Sequence, residues 1–385
     1  MFPRWISKIQ PNSLILGPRR AGKTTLLKHL FPDYEYLTLD DFDYLKLAKN
    51  DPKKLMKETS QQLFIDEIQR APELSITIKK EIDEKTKNFI LTGSSAVKLL
   101  DQSSETLAGR INLLHLPTCC WGEEFGHPTH KIFEDEVPSL KIKEAQRNLD
   151  EALLMGGFPE VVCQKNSAEK LDILKKYRDT YFLRDLSQIA NIDNVEALLS
   201  LMMYIARSIG SITEVSHYSR EIGLSTPTIK KYLNILFQSD LTTKLYGYHF
   251  GPSKRYIKSG KIYFADNGIM QSLNLELNEG QILENFVISE FEKRRKLGFI
   301  PAEEFFYYKS TSGAEIDLII ETKNEILAIE IKSSINPSSK DCRNLINFNP
   351  QSNKICKRYL FYRGTNYEQI ENVKLIPVAA IFRGQ

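Results

Sequence analysis

The run Gly17-Pro18-Arg19-Arg20-Ala21-Gly22-Lys23-Thr24 fits G-x-x-x-x-G-K-[ST] at every fixed position, a spacing suited to holding phosphate. Its glycines let the backbone wrap a phosphate closely and turn consecutive N–H groups inward, at the positive end of the helix that follows. Lys23 supplies a point charge for the β and γ phosphates of a nucleotide, and the Thr24 hydroxyl is placed to ligate Mg²⁺. Thr25, which opens the helix-like run to Phe31, is counted with the loop as nucleotide-binding. A second pattern, Leu63-Phe64-Ile65-Asp66-Glu67, is an apolar strand ending in two acids. Asp66 is placed to hold the Mg²⁺ shell and Glu67 to orient or deprotonate an attacking water, so ATP and Mg²⁺ are the expected cofactors. A third pattern lies near the carboxyl terminus. Asp317 sits mid-strand among apolar neighbours, and Glu330-Ile331-Lys332 closes the next strand. With a period of two, Glu330 and Lys332 share one face, and Asp317 can lie across from them. Two carboxylates for hard cations and a lysine to activate water or neutralise a leaving phosphate suit a Mg²⁺-dependent phosphodiesterase.

The elements that must position these groups follow from the pattern around them. Ser13-Leu14-Ile15-Leu16 reads as the strand feeding the loop, and Asn88 to Thr92 as a third strand ending at Gly93-Ser94-Ser95. In nucleotidases that insert a strand between the loop strand and the acidic strand, a polar residue at this tip senses the γ-phosphate. Ser94 or Ser95 fits that place, and a helix N-cap fits as well. Arg110, just before the apolar run Ile111 to Leu116, is a candidate to stabilise transferred phosphoryl charge, in cis or from a neighbouring subunit; a surface ion pair is the plain alternative. From Trp121 the pattern turns helical and polar, with Leu171, Leu174, Tyr177, Tyr181 and Leu186 spaced to share a face, which reads as a helical lid on the nucleotide domain.

Residues 195–272 read as a winged helix: helices over Val195 to Ser208, Thr213 to Glu221 and Ser225 to Gln238, then strand-like runs Leu241 to Tyr248 and Lys261 to Phe264. In a DNA-binding arrangement Lys230, Lys231 and Asn234 would face bases or phosphates, with Lys254, Arg255 and Lys258 of the wing on the backbone. The alternative is a structural joint, since three basic wing residues are a thin patch. A helix over Glu279 to Leu297 precedes the acidic strands and offers a further carboxylate, Glu284, with Glu290 in competition.

Taken together, Gly17 to Thr24, Phe64-Ile65-Asp66-Glu67-Ile68-Gln69, Leu91-Thr92-Gly93-Ser94-Ser95, Ala108-Gly109-Arg110 and Gly156-Gly157-Phe158-Pro159-Glu160 resemble the AAA-type ATPases of archaea and bacteria that carry a conserved C-terminal domain of unknown function. The resemblance covers nearly the whole chain and departs from the pattern at Thr118-Cys119-Cys120-Trp121-Gly122. It implies an ATP-binding, Mg²⁺-dependent ATPase core. Asp317, Glu330 and Lys332 resemble in turn the PD-(D/E)xK nuclease superfamily, whose site a carboxylate from the preceding helix often completes. The fold class expected is therefore α/β: a P-loop nucleotidase sheet of the ASCE or AAA-like kind over residues 1–120, a helical lid or connector over 121–194, a winged helix over 195–272 and a PD-(D/E)xK-like α/β domain over 273–385.

Composition bounds these readings. At 385 residues the chain exceeds one core, and 42% hydrophobic with 26% charged residues is the balance of a soluble globular protein. A net charge of +3 is too small to argue for nucleic acid, so a DNA partner rests on residues 225–260 and the C-terminal domain. No run approaches the ~18 apolar residues of a membrane span, and the amino terminus lacks the apolar core of a signal peptide, which makes the cytoplasm the expected location and excludes a membrane partner. The five cysteines form no C-x-x-C pair and read as reduced thiols; Cys119 and Cys120 with His127 and His130 are poorly spaced for zinc. A homo-oligomer remains compatible with an arginine supplied in trans.

Overall fold

In the computed structural model, residues 3–6, 8–93, 107–127, 131–185, 192, 194–249 and 260–383 are described. The chain divides into two compact units: residues 4–118 with 238–240, and residues 119–237 with 241–385 and the first three.

The first unit is built on five parallel strands, β1 (Ser13–Leu16), β2 (Glu35–Thr38), β3 (Gln62–Asp66), β4 (Asn88–Gly93) and β5 (Asn112–His115), in the order β2-β3-β4-β1-β5. β4 stands between the loop strand and the acidic strand. Leu14 to Leu16, Leu63 to Ile65 and Phe89 to Leu91 are all buried, as a parallel sheet covered on both faces requires. The helices are α1 (Lys23–Leu30), α2 (Phe42–Asn50), α3 (Pro52–Glu58) and α4 (Leu74–Asp83). Their starts are encoded locally. The Asp41 carboxylate accepts from the Asp43 and Tyr44 N–H groups, and Asp51 caps α3 with Pro52 in its first turn. The register pairs Leu16 with Gly93, Ile65 with Leu91 and Thr38 with Asp66, which aligns the carboxyl ends of four strands along one edge.

The second unit holds α5 (Ser139–Met155), α6 (Pro159–Cys163), α7 (Ser167–Tyr177), α8 (Val195–Arg207), α9 (Val215–Ile222), α10 (Thr226–Gln238), α11 (Asn267–Ser272), α12 (Glu279–Lys296) and α13 (Ser339–Asn347). Its strands are β6 (Thr242–Gly247), β7 (Lys261–Phe264), β8 (Phe305–Lys309), β9 (Glu315–Glu321), β10 (Glu325–Lys332), β11 (Ile355–Tyr362), β12 (Glu368–Ile370) and β13 (Val373–Pro377). They form one sheet in the order β12-β13-β11-β10-β9-β8-β6-β7.

Two expectations change here. The helices expected as a lid on the nucleotide domain belong to the second unit: Trp121, Leu149, Leu174 and Tyr177 share one core with Phe286, Phe291 and Ile381. The helix that carries most of that stripe, α7, packs on α11 and α6 within the second unit, and Phe158 meets Tyr177 edge to face. Nor does the sheet break near residue 272. β6 and β7 pair antiparallel as the hairpin after three helices, and β6 also runs parallel to β8 through Tyr246 with Phe306 and Gly247 with Tyr307. The hairpin is thus the edge of the C-terminal sheet.

Gly156-Gly157 has a packing reason. A Cβ on Gly156, at φ +69°, would lie 1.8 Å from Asp266 Oδ1, and the Gly157 N–H donates to Asp266 Oδ2 at 2.9 Å. Asp266 is fully buried and also accepts from Lys293 Nζ at 2.9 Å.

Candidate nucleotide site and a buried carboxylate cluster

The loop after β1 turns on two glycines that nothing else replaces. Gly17 has φ +154°, and a Cβ there would lie 2.1 Å from the Leu116 carbonyl oxygen; Gly22, at φ 87°, is the left-handed residue that starts α1. No side chain caps α1, so its first-turn N–H groups face the loop. The Arg4 guanidinium fastens the loop from outside, donating to the Ala21 carbonyl at 3.0 Å and the Pro117 carbonyl at 2.9 Å. Inside, Lys23 Nζ donates to the Gly17 and Pro18 carbonyl oxygens, both at 2.9 Å. Lys23 is 6% exposed, and burial pulls its ammonium below the usual lysine range against the opposing pull of Glu67 and Asp66. Its partners are neutral carbonyls, so its positive charge remains available to an anion.

Asp66, at the end of β3, accepts hydroxyl hydrogen bonds from three elements. Thr24 Oγ1 of α1 donates to Oδ2 at 2.8 Å, Tyr36 of β2 donates to Oδ2 at 2.9 Å, and Thr92 of β4 donates to Oδ1. Burial and the Asp66 charge push the Tyr36 hydroxyl up to about 12, so it stays a donor. A hydroxyl and a carboxylate 2.8 Å apart are hard oxygen donors that fit Mg²⁺ beside a bound nucleotide, where the ion would neutralise phosphate charge. Glu67 follows in a left-handed conformation at φ 59°, costly for a residue with a Cβ; its N–H donates to Thr92 Oγ1 at 3.3 Å, and Gln69 Nε2 donates to Oε2 of its carboxylate.

Sequence spacing therefore locates Gly17, Pro18, Arg19, Arg20, Ala21, Gly22, Lys23, Thr24, Asp66 and Glu67 at one edge, with Thr25 in the first turn of α1. It misses Tyr36 and Thr92, which only the strand register brings to Asp66; the one signal was a threonine closing an apolar strand. Ser94 and Ser95 lie outside the described residues. Arg110 is a correction for action within the subunit. It precedes β5, whose Asn112 pairs with Ser13 at the amino end of β1, the edge opposite the loop, and its Nε donates to Asp83 at 2.6 Å.

In the second unit the antiparallel register that pairs Ile329 with Leu318 carries Glu330 abreast of Asp317, and the Ile331 N–H donates to Asp317 Oδ2 at 2.9 Å. Lys332 Nζ donates to Glu330 Oε1 at 2.6 Å. Burial lowers the Lys332 ammonium, but Glu330, with Asp317 and Asp341, more than offsets it and the net shift is upward. The Asn278 and Gln281 capping box starts α12 and sets Glu284 in its second turn, where Tyr263 donates to Oε1 at 2.6 Å. The four groups Glu284, Asp317, Glu330 and Lys332 come together as their spacing suggests. Glu290 does not join them: it accepts from the Trp121 N–H at 2.9 Å, Lys293 at 3.0 Å and Arg294 at 2.5 Å in a separate buried network.

What the sequence does not reveal is a lysine among the carboxylates. Lys261, the first residue of β7 and 1% exposed, places Nζ 2.6 Å from Glu315 Oε1 and 3.8 Å from both Glu284 Oε1 and Asp317 Oδ1. Burial alone would lower its ammonium, yet Asp317, Glu284 and Glu315 hold it above the ordinary lysine range. Burial, then Asp317, pushes the Glu284 carboxyl up to about 7 and the Glu330 carboxyl up to about 8. Among the described residues no group of three or more histidine, cysteine, aspartate or glutamate side chains is arranged to hold a metal ion. The expected cation set of Glu284, Asp317 and Glu330 is corrected accordingly: the Lys261 ammonium stands against Glu284 and Asp317, and Lys332 against Glu330. Cys119 and Cys120 are buried.

On α10, Lys230, Lys231 and Asn234 are exposed while Ile229, Tyr232, Leu233 and Leu236 are buried, an amphipathic helix with its polar side outward. Lys254, Arg255 and Lys258 lie outside the described residues. Among those described, no helix is long and apolar enough to cross a membrane.

A five-stranded parallel sheet with a phosphate loop after β1 and acids after β3 defines the first unit as a P-loop nucleotide-binding domain. Residues 10–125 match the AAA domain model, residues 146–280 a domain of unknown function, and residues 279–381 a second domain of unknown function. The chain carries an AAA domain and a C-terminal domain of unknown function. It is 27% identical to an uncharacterized protein of Methanocaldococcus jannaschii, over 87% of this chain and 78% of that one. An uncharacterized protein of Haemophilus influenzae is 25% identical over 94% and 92% of the two chains. Among solved structures, a signal transduction ATPase with numerous domains and a tetratricopeptide repeat sensor from Pyrococcus horikoshii is 13% identical, over 77% of this chain and 46% of that one, with a TM-score of 0.24.

Proposed function

We infer that this chain is a Mg²⁺-dependent ATPase of the AAA type that couples nucleotide hydrolysis to a winged-helix and nuclease-like C-terminal half acting on DNA. The observation that carries the ATPase reading is the meeting of Thr24, Thr92 and Tyr36 on Asp66, beside Lys23 and Glu67. In this reading Lys23 and the loop N–H groups bind the phosphates, and Thr24 and Asp66 hold Mg²⁺. Glu67 orients or deprotonates the attacking water, and Thr92 couples the backbone of Glu67 to Asp66. An arginine acting on the phosphates comes from another subunit, if Arg110 is that arginine. The exposed face of α10 supports contact with a phosphate backbone.

The test is ATP hydrolysis at fixed Mg²⁺ and stated salt, with and without single- and double-stranded DNA, comparing the intact chain with Glu67→Gln while following the DNA for cleavage. Turnover stimulated by DNA and abolished by Glu67→Gln supports the reading; turnover that survives Glu67→Gln overturns the assignment of that residue. A second reading makes the chain a nucleotide-dependent switch whose nuclease-like domain is a docking module. The ammonium of Lys261 among the cluster carboxylates favours it, and slow turnover indifferent to DNA would establish it over the first.

A further inference from the structure

The C-terminal cluster has the carboxylates of a cation site and a cation of its own. Glu284 comes from α12, Glu315 and Asp317 from β9, and Glu330 from β10, so three separate elements aim acids at one place. Lys261 reaches that place from β7, a strand that no acid-and-E-x-K pattern includes. Its ammonium touches three of the four carboxylates, and the fourth is engaged by Lys332 on one oxygen only. The other oxygen, Glu330 Oε2, is buried without a hydrogen-bond partner, in a side chain 6% exposed. A buried carboxylate oxygen left unpaired costs free energy and marks a place built for a further donor or cation. A divalent ion and an ammonium cannot share the centre of such a group, because their charges repel in a poorly screened interior.

We propose that Lys261 is a tethered cation that occupies the carboxylate cluster of Glu284, Glu315 and Asp317, beside Glu330, and excludes a divalent metal ion from it. The chain's own ammonium supplies the positive charge that a divalent ion would bring to these acids, and removing it leaves them to a cation from solution. This rests on reading the C-terminal domain as nuclease-like, and its test reads metal uptake, which is independent of ATP turnover. The role also explains why a lysine heads a strand otherwise made of Ile262, Tyr263 and Phe264, all buried.

The experiment titrates Mn²⁺ into the nucleotide-free full-length chain carrying Asp66→Asn, which silences the phosphate-loop site, and follows free Mn²⁺ by electron paramagnetic resonance. The parent is expected to show no uptake that depends on Asp317. Adding Lys261→Ala is expected to create one equivalent of binding, at least about ten-fold tighter than in the parent, that is lost again with Asp317→Asn. Lys261→Arg keeps the charge and is expected to remain closed. Circular dichroism checks each variant, and Lys261→Gln replaces Lys261→Ala if the smaller side chain unfolds the domain. Asp317-dependent uptake by the parent overturns the proposal, as does a folded neutral variant that takes up no Mn²⁺. If neither neutral variant folds, the parent decides alone: absence of Asp317-dependent uptake supports the closed site and its presence overturns it.

Discussion

Two buried lysines divide the chemistry of this chain. Lys23 and Lys261 are 6% and 1% exposed; the first donates two hydrogen bonds and the second is ion-paired. Around Lys23 the partners are the neutral carbonyls of Gly17 and Pro18; around Lys261 they are the carboxylates of Glu315, Glu284 and Asp317. Burial lowers the first ammonium below its usual range, whereas its carboxylates raise the second above it. A lysine solvated by dipoles keeps a net charge to offer a phosphate. One ringed by carboxylates has already been neutralised. Burial and residue type are the same, so the partners alone decide which lysine can bind a ligand.

The largest expected effect falls on the first of the pair. Lys23→Ala is predicted to lower ATP turnover by about 100-fold or more, the scale for removing one preorganised charge from a phosphoryl-transfer site; steady-state phosphate release checks it, and a loss below ten-fold would erase the contrast drawn between the two lysines. Gly17→Ala comes next. Its Cβ would collide with the Leu116 carbonyl, so nucleotide binding should fail and the first unit should lose about 1–3 kcal/mol, measured by denaturant unfolding with and without ATP.

The second lysine is sharpened by pH. Burial, then the Asp317 charge, pushes the Glu284 and Glu330 carboxyls up to about 7 and about 8, against an ordinary value of 4.5. Their folded pKa values are raised, so the folded state holds more protons between those limits. The stability they contribute is full below about pH 4.5 and is lost as pH rises through 7 and 8. Glu330→Gln should flatten that slope and raise the melting temperature at pH 8 by a few degrees, on the order of 1 kcal/mol. A slope unchanged by Glu330→Gln would place the titrating group elsewhere. The smallest effect belongs to Arg110→Ala, which removes an exposed ion pair with Asp83 and should leave the melting temperature unchanged. Turnover at dilute protein should also be unchanged, and a fall that appears only at high protein concentration would identify Arg110 as an arginine supplied in trans.

The two regions also differ in how much of them the sequence discloses. The phosphate loop, Asp66 and Glu67 are legible because their roles are fixed by local spacing and by strand ends. Tyr36 and Thr92 are not, since they meet Asp66 through the order β2-β3-β4, a property of the sheet. In the second unit the period of two is enough to pair Glu330 with Lys332 and to set Asp317 across from them. Lys261 escapes that reasoning: it lies on β7, separated from β9 by β6 and β8 in the sheet order, and it reaches the acids only because the hairpin joins the C-terminal sheet. The lid reading failed for a related reason. An apolar helical face says that a partner exists without naming it, and here the partners are α11 and α6 of the same unit.

The central claim is that the loop around Lys23 is the working nucleotide site of the chain. Isothermal titration of ATP with Mg²⁺ into the intact protein and into Lys23→Ala tests it most directly. The account predicts one equivalent bound by the intact protein, and affinity reduced beyond detection, or by at least about 100-fold, in the variant. Equal binding by the two proteins would contradict it.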